Sequence, residues 1–426
     1  MASIVAHEDF NIDEKQIYDA ALATLSSHLK VIDSTSSDKY RIIGSEKRIK
    51  SLTSIKNKLR RDGIPFSYEA VREHLHDVVG YRIICLDKDD VEIVLNLLRR
   101  TFNTSDGVKI LGEKDYITYP KESGYRSYHM IVEIPVYLPD RVERVKTEIQ
   151  IRTLSMHIWS AVEHEVVYKS DDVSEEIGNK MQQLSLEFNY IENYLRDIRK
   201  KVYQVRGTGE KTNYAEGLSL RQLKDYRNII KKYKIGQEFI ASYMNSIISH
   251  YEDNQENGDI QGVPKFRVKT VESTAKKLKE KGLEFNKKNI SDNILDIIGC
   301  RIVCLSKDDV YTLVDIIKNT PGIDILEIKD YISNPKENGY RSCHIKIVIP
   351  VPYYGRLIYV PAEIQIRTVM MHLWASEQRV VYELGSSDET KALLRELSET
   401  VNDMEEQINA LSRMHKTDSG KAYTKR

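Results

Sequence analysis

The chain has 426 residues, and its 64 Lys plus Arg balance 64 Asp plus Glu, so no global field draws in nucleic acid or membrane and any anion site must come from local clustering. No stretch approaches the roughly eighteen apolar residues of a membrane span, and the N-terminus MASIVAHEDFNIDEKQ has neither a basic start nor an apolar run. Four cysteines without a CxxC pair or zinc-type His spacing read as small buried hydrophobes, and the expectation is a soluble, cytoplasmic chain of two or three domains in a reducing compartment.

In chain order, an amphipathic helix at about 13–30 leads into a basic helical segment, RIKSLTSIKNKLRR. A short apolar strand follows in DVVGYRIICL, then a helix in VEIVLNLLRR, the polar loop KDYITYPKESGYRS at 114–127, and strands around HMIVEIPVYL and TEIQIR. A long final helix carries Ile177, Met181, Leu184, Phe188, Ile191, Leu195, Ile198 and Val202 at a spacing of about 3.5 residues. The stretch VRGTGEKTNYAEG (205–217) is polar, holds three glycines and reads as a linker. Beyond it the same order returns: a helix at about 220–250, RVKTVESTAKKLKEK, DIIGCRIVCL, VYTLVDIIKN, KDYISNPKENGYRS at 329–342, a second EIQIRT, and a stripe of Leu394, Leu397, Val401, Met404, Ile408 and Leu411. The fold expected is α/β (α+β): two tandem domains, 1–204 and 218–426, each a mixed β-sheet flanked by helices with a long C-terminal helix. Each apolar stripe either covers its own sheet or pairs the halves, or two chains, with one another.

The halves align at an offset of 219 residues from Arg48/Arg267 through Asp77/Asp296, and at 215 after a four-residue loss near TFNTSDGVK. What both copies hold in common is polar chemistry. Asp77 and Asp296 stand just before a strand, and strand alternation puts Glu148, Gln150 and Arg152, and likewise Glu363, Gln365 and Arg367, on one face. An acidic pair drawn from two strands can hold Mg²⁺ while substrate phosphates and water complete its shell. Arg48, Lys50, Ser54 and Lys58 recur as Arg267, Lys269, Ser273 and Lys277, a spacing suited to polyphosphate. In the loop, Lys114, Lys121, Arg126 and His129 recur as Lys329, Lys336, Arg341 and His344, with Tyr125 or Tyr340 as a flat ring for a base. Neither GxxxxGK[ST] nor GxGxxG is present, so the phosphate grip uses side chains.

The ordered set RIKSxxSIxxKL, DxxGxR, KDYIxxPKxxGYRSxH, EIQIRT and WSAVEH resembles the synthetase domain of the RelA/SpoT-homologue proteins, specifically the small alarmone synthetases, here in two copies. The resemblance implies a nucleotidyltransferase-like fold and transfer of pyrophosphate from ATP to the 3′-hydroxyl of GTP or GDP. It implies that Asp77 and Glu148 ligate Mg²⁺, with Glu148 assisting deprotonation of the hydroxyl. Arg48 and Arg82 would sandwich adenine, while Lys50, Ser54 and Lys58 hold ATP phosphates. Tyr125 would stack on guanine, with Lys114, Lys121, Arg126, His129, Gln150 and Arg152 around the acceptor. In repeat 2 the roles fall on Asp296, Glu363, Arg267, Arg301, Lys269, Ser273, Lys277, Tyr340, Lys329, Lys336, Asn338, Arg341, His344, Gln365 and Arg367. The partners implied are ATP and GTP or GDP, with no membrane and no obligatory nucleic acid, and the halves are expected to pack as a pseudo-dimer, with a homo-oligomer also open.

Two departures stand out. Ser123 occupies the position of Asn338, a mild change in a turn. Trp374 to Tyr382 is one residue shorter than Trp159 to Tyr168, and a one-residue deletion rotates a helix by about 100°, which points to an altered acceptor pocket in repeat 2. Other readings stay open: a nucleotide sensor in one half, or a pyrophosphokinase acting on adenine nucleotides or tRNA ends. No hydrolase arrangement accompanies the synthetase motifs, so the expected enzyme makes the alarmone and does not destroy it.

Overall fold

The computed structural model describes residues 12–35, 42–104, 107–168, 175–205, 214–254, 264–384 and 388–423. The extreme N-terminus, most of the expected linker and the side chain of Val202 lie outside the described residues. The chain divides into two compact units, Met1–Ser160 with Gly178–Asn193, and Ala161–Ile177 with Tyr194–Arg426.

The first unit begins with α1 (Ile12–Thr35), β1 (Ile42–Ile49), α2 (Leu52–Arg61) and α3 (Tyr68–His74). Then come β2 (Val79–Cys85), α4 (Lys88–Thr104), β3 (Lys109–Asp115), β4 (Tyr128–Tyr137), β5 (Val142–Thr153) and α5 (Leu154–Glu163). Its five strands run in the order β1-β2-β5-β4-β3; β2 and β5 are parallel and the other neighbours antiparallel. Alternation sorts the two sheet faces: Ile83, Cys85, Met130, Val132, Ile149 and Ile151 pack with Leu25 and Leu29 of α1 and Leu98 and Phe102 of α4. Each such fully buried aliphatic side chain stabilises by about 1.5–3 kcal/mol, which fixes the register and leaves the polar alternate positions on the opposite face.

The basic segment read as one helix is in fact a strand, a turn and a helix. Arg48 is the penultimate residue of β1, Lys50 lies in the connection, and α2 starts only after Ser51, whose hydroxyl accepts from the Ser54 N–H as an N-cap. Helix α2 then buries Leu52, Ile55 and Leu59 and turns Lys58 toward Asp77.

The second unit repeats this plan: α7 (Leu220–Asn254), β6 (Lys265–Val268), α8 (Val271–Glu280), α9 (Lys287–Asn293), β7 (Ile298–Cys304) and α10 (Lys307–Asn319). It continues with β8 (Asp324–Asp330), β9 (Cys343–Tyr353), β10 (Arg356–Thr368), α11 (Val369–Leu384) and α12 (Asp388–Tyr423), with strand order β6-β7-β10-β9-β8. Tyr233, Ile240 and Met244 of α7 and Leu313 and Ile317 of α10 pack on Ile302, Ile345, Ile347, Ile364 and Ile366. Thr270 caps α8 as Ser51 caps α2.

Between the units' main bodies in sequence lies α6 (Glu175–Val205), whose stripe residues from Ile177 to Ile198 are all buried, as are Leu394 through Leu411 of α12. Within the second unit Ile198 packs with Leu394, and Arg199 forms a buried ion pair with Glu377. The one-residue difference noted above falls where His164–Tyr168 winds as a π-segment, while α11 is α-helical throughout. A wider turn accommodates one extra residue. All four cysteines are free and buried. Among the described residues no helix is long and apolar enough to cross a membrane.

Candidate active site

The polar face of each sheet is assembled from strand register. In the first unit Arg48 lies across from Gly80, Glu46 from Arg82, Gly80 from Glu148, Arg82 from Gln150, Gln150 from His129, and His129 from Lys114. Registered neighbours share a face, so one surface carries the residues expected at the donor end and those expected at the acceptor end. Asp77 joins it from the loop before β2.

Asp77 is gripped by two ammonium groups, Lys50 Nζ at 2.6 Å from Oδ2 and Lys58 Nζ at 3.0 Å from Oδ1. Burial pushes its carboxyl upward, but the two lysines outweigh that and hold it below the usual carboxylate range. Glu148 behaves alike: burial opposes ionisation, while His129 Nδ1 at 2.9 Å and the Gln150 amide at 2.7 Å keep it depressed, and the charge of Asp77 is near enough to push back. Two ionised, mutually repelling carboxylates, one gripped by ammonium groups and the other held by an imidazole and an amide, suit a divalent ion bound together with phosphate. In repeat 2 Lys269 and Lys277 both bond Asp296 Oδ2, and the buried Oδ1 has no hydrogen-bond partner, an acceptor aimed at nothing in the protein. The free Asp296 Oδ1 is a donor of the kind Mg²⁺ takes, whereas in repeat 1 both Asp77 oxygens are held by lysines that a metal with its phosphates would have to displace.

Arg48 lies over Gly80, where an added Cβ would stand 3.5 Å from its Cγ and 3.6 Å from its Nε; Arg267 lies over Gly299 in the same way, at 3.4 and 3.3 Å. The glycine of DxxGxR thus lies directly beneath the arginine in both copies, with room to spare at Gly80 and tighter packing at Gly299, a placement that motif spacing alone does not disclose. Ser54 and Ser273 sit in the first turns of α2 and α8, where backbone N–H groups favour anions. Arg82 is tied to Glu46 at 2.5 Å, with His157 3.5 Å from the same carboxylate.

At the acceptor end the loop after β3 folds back so that Tyr125, Lys121, Tyr116 and His129 meet. Lys121 Nζ stands 5.0 Å from both the Tyr116 and Tyr125 ring centroids, and Tyr125 hydroxyl is 2.9 Å from His129 Nε2. Ser123 Oγ accepts from the Tyr125 N–H at 3.4 Å and Asn338 Oδ1 from the Tyr340 N–H at 3.1 Å, so the two residues do the same turn-holding work. Lys336, Tyr331, Tyr340 and His344 repeat the cluster. Lys114 is exposed beside it, and Lys329 is bonded to Glu327 at 3.1 Å.

Arg126 stands apart from this cluster. Its Nη1 donates to Asn189 of α6 at 3.0 Å, and Lys88 Nζ donates to the same oxygen at 2.7 Å. Ser185 of α6 donates to the Gly124 carbonyl at 2.7 Å, and the Trp159 indole donates to the Met181 carbonyl. The motif arginine therefore ties the loop to the helix behind it, and Arg341 likewise donates to the Ser398 carbonyl at 3.5 Å. Gly124 at φ +91° and Gly339 at φ +79° leave no room for a Cβ against Ser185 and Ser398. Trp374 reaches Gly339 as Trp159 reaches Gly124, at 3.6 and 3.5 Å from the added Cβ. The covering serine and the tryptophan thus approach the loop glycine alike in both repeats, but the Trp374 indole, unlike that of Trp159, has no hydrogen-bond partner, so the contact across the one-residue length difference is not fully reproduced.

Arg152 and Arg367, expected on a nucleotide-facing surface, are buried, 1% and 3% exposed. Burial draws the Arg152 pKa down to about 10. The residues that motif reading missed are Gly80, Glu46, His157, Ser185 and Asn189; all but Glu46 carried a signal, recurring in the second copy as Gly299, His372, Ser398 and Asn402.

A family model described as "Region found in RelA / SpoT proteins" matches residues 47–173 and 266–386, together more than half of the chain. The GTP pyrophosphokinase YwaC of Bacillus subtilis is 36% identical over 198 residues, 45% of this chain and 90% of that protein. The GTP pyrophosphokinase YjbM of the same organism is 36% identical over 162 residues, 37% of this chain and 72% of that one. Among solved structures, small alarmone synthetase 1 from Bacillus subtilis bound to its product pppGpp is 32% identical, covering 44% of this chain and 94% of that one, with a TM-score of 0.40.

Proposed function

Because this chain belongs to the RelA/SpoT family, with the family's region present twice, we propose that each repeat transfers pyrophosphate from ATP to the 3′-hydroxyl of GTP or GDP. The observation that carries the reading is the shared face on which a lysine-gripped Asp77 and Glu148 lie beside the Tyr125–His129 loop, with the same set in repeat 2. Relatives named GTP pyrophosphokinases support the guanosine acceptor.

In this reading Arg48 and Arg82 hold adenine between their planes, and Lys50, Lys58 and the first turn of α2 receive the ATP phosphates, drawing the lysines away from Asp77. Asp77 and Glu148 would hold Mg²⁺, which when bound neutralises charge on the transferred group. Tyr125 stacks on guanine while Lys114, Lys121 and His129 address the acceptor's phosphates and ribose. Glu148, kept ionised, accepts a hydrogen bond from the 3′-hydroxyl and takes its proton as the oxygen attacks the β-phosphorus, whose bond to the α–β bridging oxygen breaks and releases AMP. Such a transfer depends on in-line positioning and charge stabilisation more than on covalent chemistry. The reaction belongs to stringent-response signalling in a cytoplasmic setting.

The test is anion-exchange separation of nucleotides after incubation with Mg²⁺, ATP and GTP or GDP, for the parent, Asp77→Ala and Asp296→Ala proteins. A more highly phosphorylated guanosine product that falls in each variant is expected. Absence of any guanosine product from the parent would sink the proposal.

A further inference from the structure

We infer that Arg152 is a positioning residue that never touches nucleotide: from beneath the acceptor loop it sets the direction of two hydrogen-bonded arms that end on the two oxygens of Glu148. The inference rests on the reading above for its kinetic consequence and on geometry for the rest.

Arg152 is among the largest fully buried side chains in the chain. Its Nη2 donates to Gln150 Oε1 at 2.6 Å and to the Tyr125 hydroxyl at 3.0 Å, and its guanidinium lies 5.6 Å from the Tyr125 ring centroid. A guanidinium has no acceptor, so the Tyr125 oxygen must receive that bond. The single Tyr125 proton is then left for His129 Nε2, 2.9 Å away. His129 Nε2 becomes an acceptor, the ring carries its proton on Nδ1, and Nδ1 donates to Glu148 Oε1 at 2.9 Å. On the other arm, holding Gln150 Oε1 turns the amide so that Nε2 donates to Glu148 Oε2 at 2.7 Å. One buried cation thus fixes a tyrosine rotor, a histidine tautomer and an amide orientation, and closes a ring of five side chains.

Repeat 2 shows which arm is separable. Arg367 donates to Gln365 at 2.6 Å and Gln365 to Glu363 at 2.8 Å, reproducing the amide arm. Arg367 lies 5.8 Å from the Tyr340 ring centroid but makes no hydrogen bond to its hydroxyl, and His344 Nδ1 stands 3.5 Å from Glu363. The tyrosine arm is closed only in repeat 1.

The experiment uses the full chain carrying Asp296→Ala, so that repeat 1 alone reports. Arg152→Met, Tyr125→Phe and their combination are compared in initial rates against GTP and ATP. Arg152→Met is expected to lower kcat/KM for GTP by about 10–100-fold, the usual cost of losing an orienting partner, with the KM for ATP unmoved. The combined variant should be no more than about twofold worse than Arg152→Met, because both act through the same hydroxyl. Multiplying losses would mean that Arg152 acts on the nucleotide directly and would overturn the inference. Arg152→Lys, which keeps a donor, should recover part of the rate and serves if the methionine variant does not fold. A second readout needs no catalysis: ¹⁵N spectra of the histidine rings, with His129 assigned by His129→Gln, should show the Nδ1–H tautomer in the parent and a mixture in Arg152→Met. An unchanged tautomer overturns the inference. A parent without guanosine product but with this tautomer shift sinks only the proposed reaction.

Discussion

Opposite Arg82 on the neighbouring strand stands Glu46; opposite Arg301, at the same register, stands Lys265. In the first repeat the pair is an ion pair at 2.5 Å, whereas the second sets two cations side by side on the face where Arg267 also lies. The groups proposed to meet nucleotide are the same in both copies: Asp77 and Asp296, Glu148 and Glu363, Tyr125 and Tyr340, Arg48 and Arg267. What differs is the set that holds them. Asp77 shares its two lysines between two oxygens and Asp296 takes both on one; Arg126 is anchored by Asn189, Arg341 by a backbone carbonyl; the His–Glu contact is 2.9 Å in one and 3.5 Å in the other. Duplication has left the contact groups alike and the supporting groups free to diverge. Supporting groups set how rigidly a site is held, so the two repeats are expected to run one chemistry with different tuning.

The largest expected effect tests the sameness. Combining Asp77→Ala with Asp296→Ala should abolish guanosine product to at least about 10²–10³-fold below the parent, read by nucleotide chromatography. Residual synthesis at a tenth of the parent rate would mean that these carboxylates are not the shared core of the two sites. Gly124→Ala and Gly339→Ala should each lower stability by about 2 kcal/mol in urea unfolding, because both demand a left-handed backbone and both abut a serine. Adding Ser185→Gly to Gly124→Ala should recover the steric part and leave the backbone part. A harmless Gly339→Ala would break the equivalence of the loops.

Smaller effects test the difference. Tyr125→Phe in a protein with only repeat 1 active should lose about 10-fold in kcat/KM for the guanosine acceptor, and Tyr340→Phe in the reciprocal protein only about threefold, since Arg367 leaves that hydroxyl alone. Equal losses would erase the distinction between the open and closed rings. Last comes Glu405, buried on α12 beside Thr368, whose carboxyl is pushed above 4.5 by burial. A raised folded value means that its contribution is present below pH 4.5 and is lost as pH rises through the folded value, so at neutral pH the ionised group is a cost. Glu405 Oε2 also lies 3.6 Å from Lys307 Nζ, so Glu405→Gln loses that pair as it removes the buried charge, and its stability relative to the parent should rise from about pH 4 to neutral pH in denaturant titrations.

Strand periodicity located β2, β4 and β5 and the face that Glu148 and Gln150 share, because alternation is a local property of the chain. The same pattern failed at Arg48 and Lys50, where a strand end, a two-residue connection and a capped helix are packed into too few residues for either period to show. It also misjudged Arg152: an arginine on an alternating strand reads as solvent-facing, and only the loop that closes over it, held down by α6 from more than thirty residues away, turns it into a buried anchor. The orientation of Arg126 toward Asn189 is likewise a tertiary fact, since the motif gives its neighbours in sequence and not in space.

The burial of the cysteines has a practical consequence. Cys300 and Cys343 are pushed by desolvation up to about 12 and about 11, and Cys85 and Cys304 well above the usual thiol range, so at neutral pH the native protein offers almost no thiolate. The chain is thus a ready background for single-site labelling. A cysteine placed at Tyr119, 76% exposed on the acceptor loop of repeat 1, should react with a maleimide dye while the native four stay silent, giving that loop a fluorescent reporter of its own.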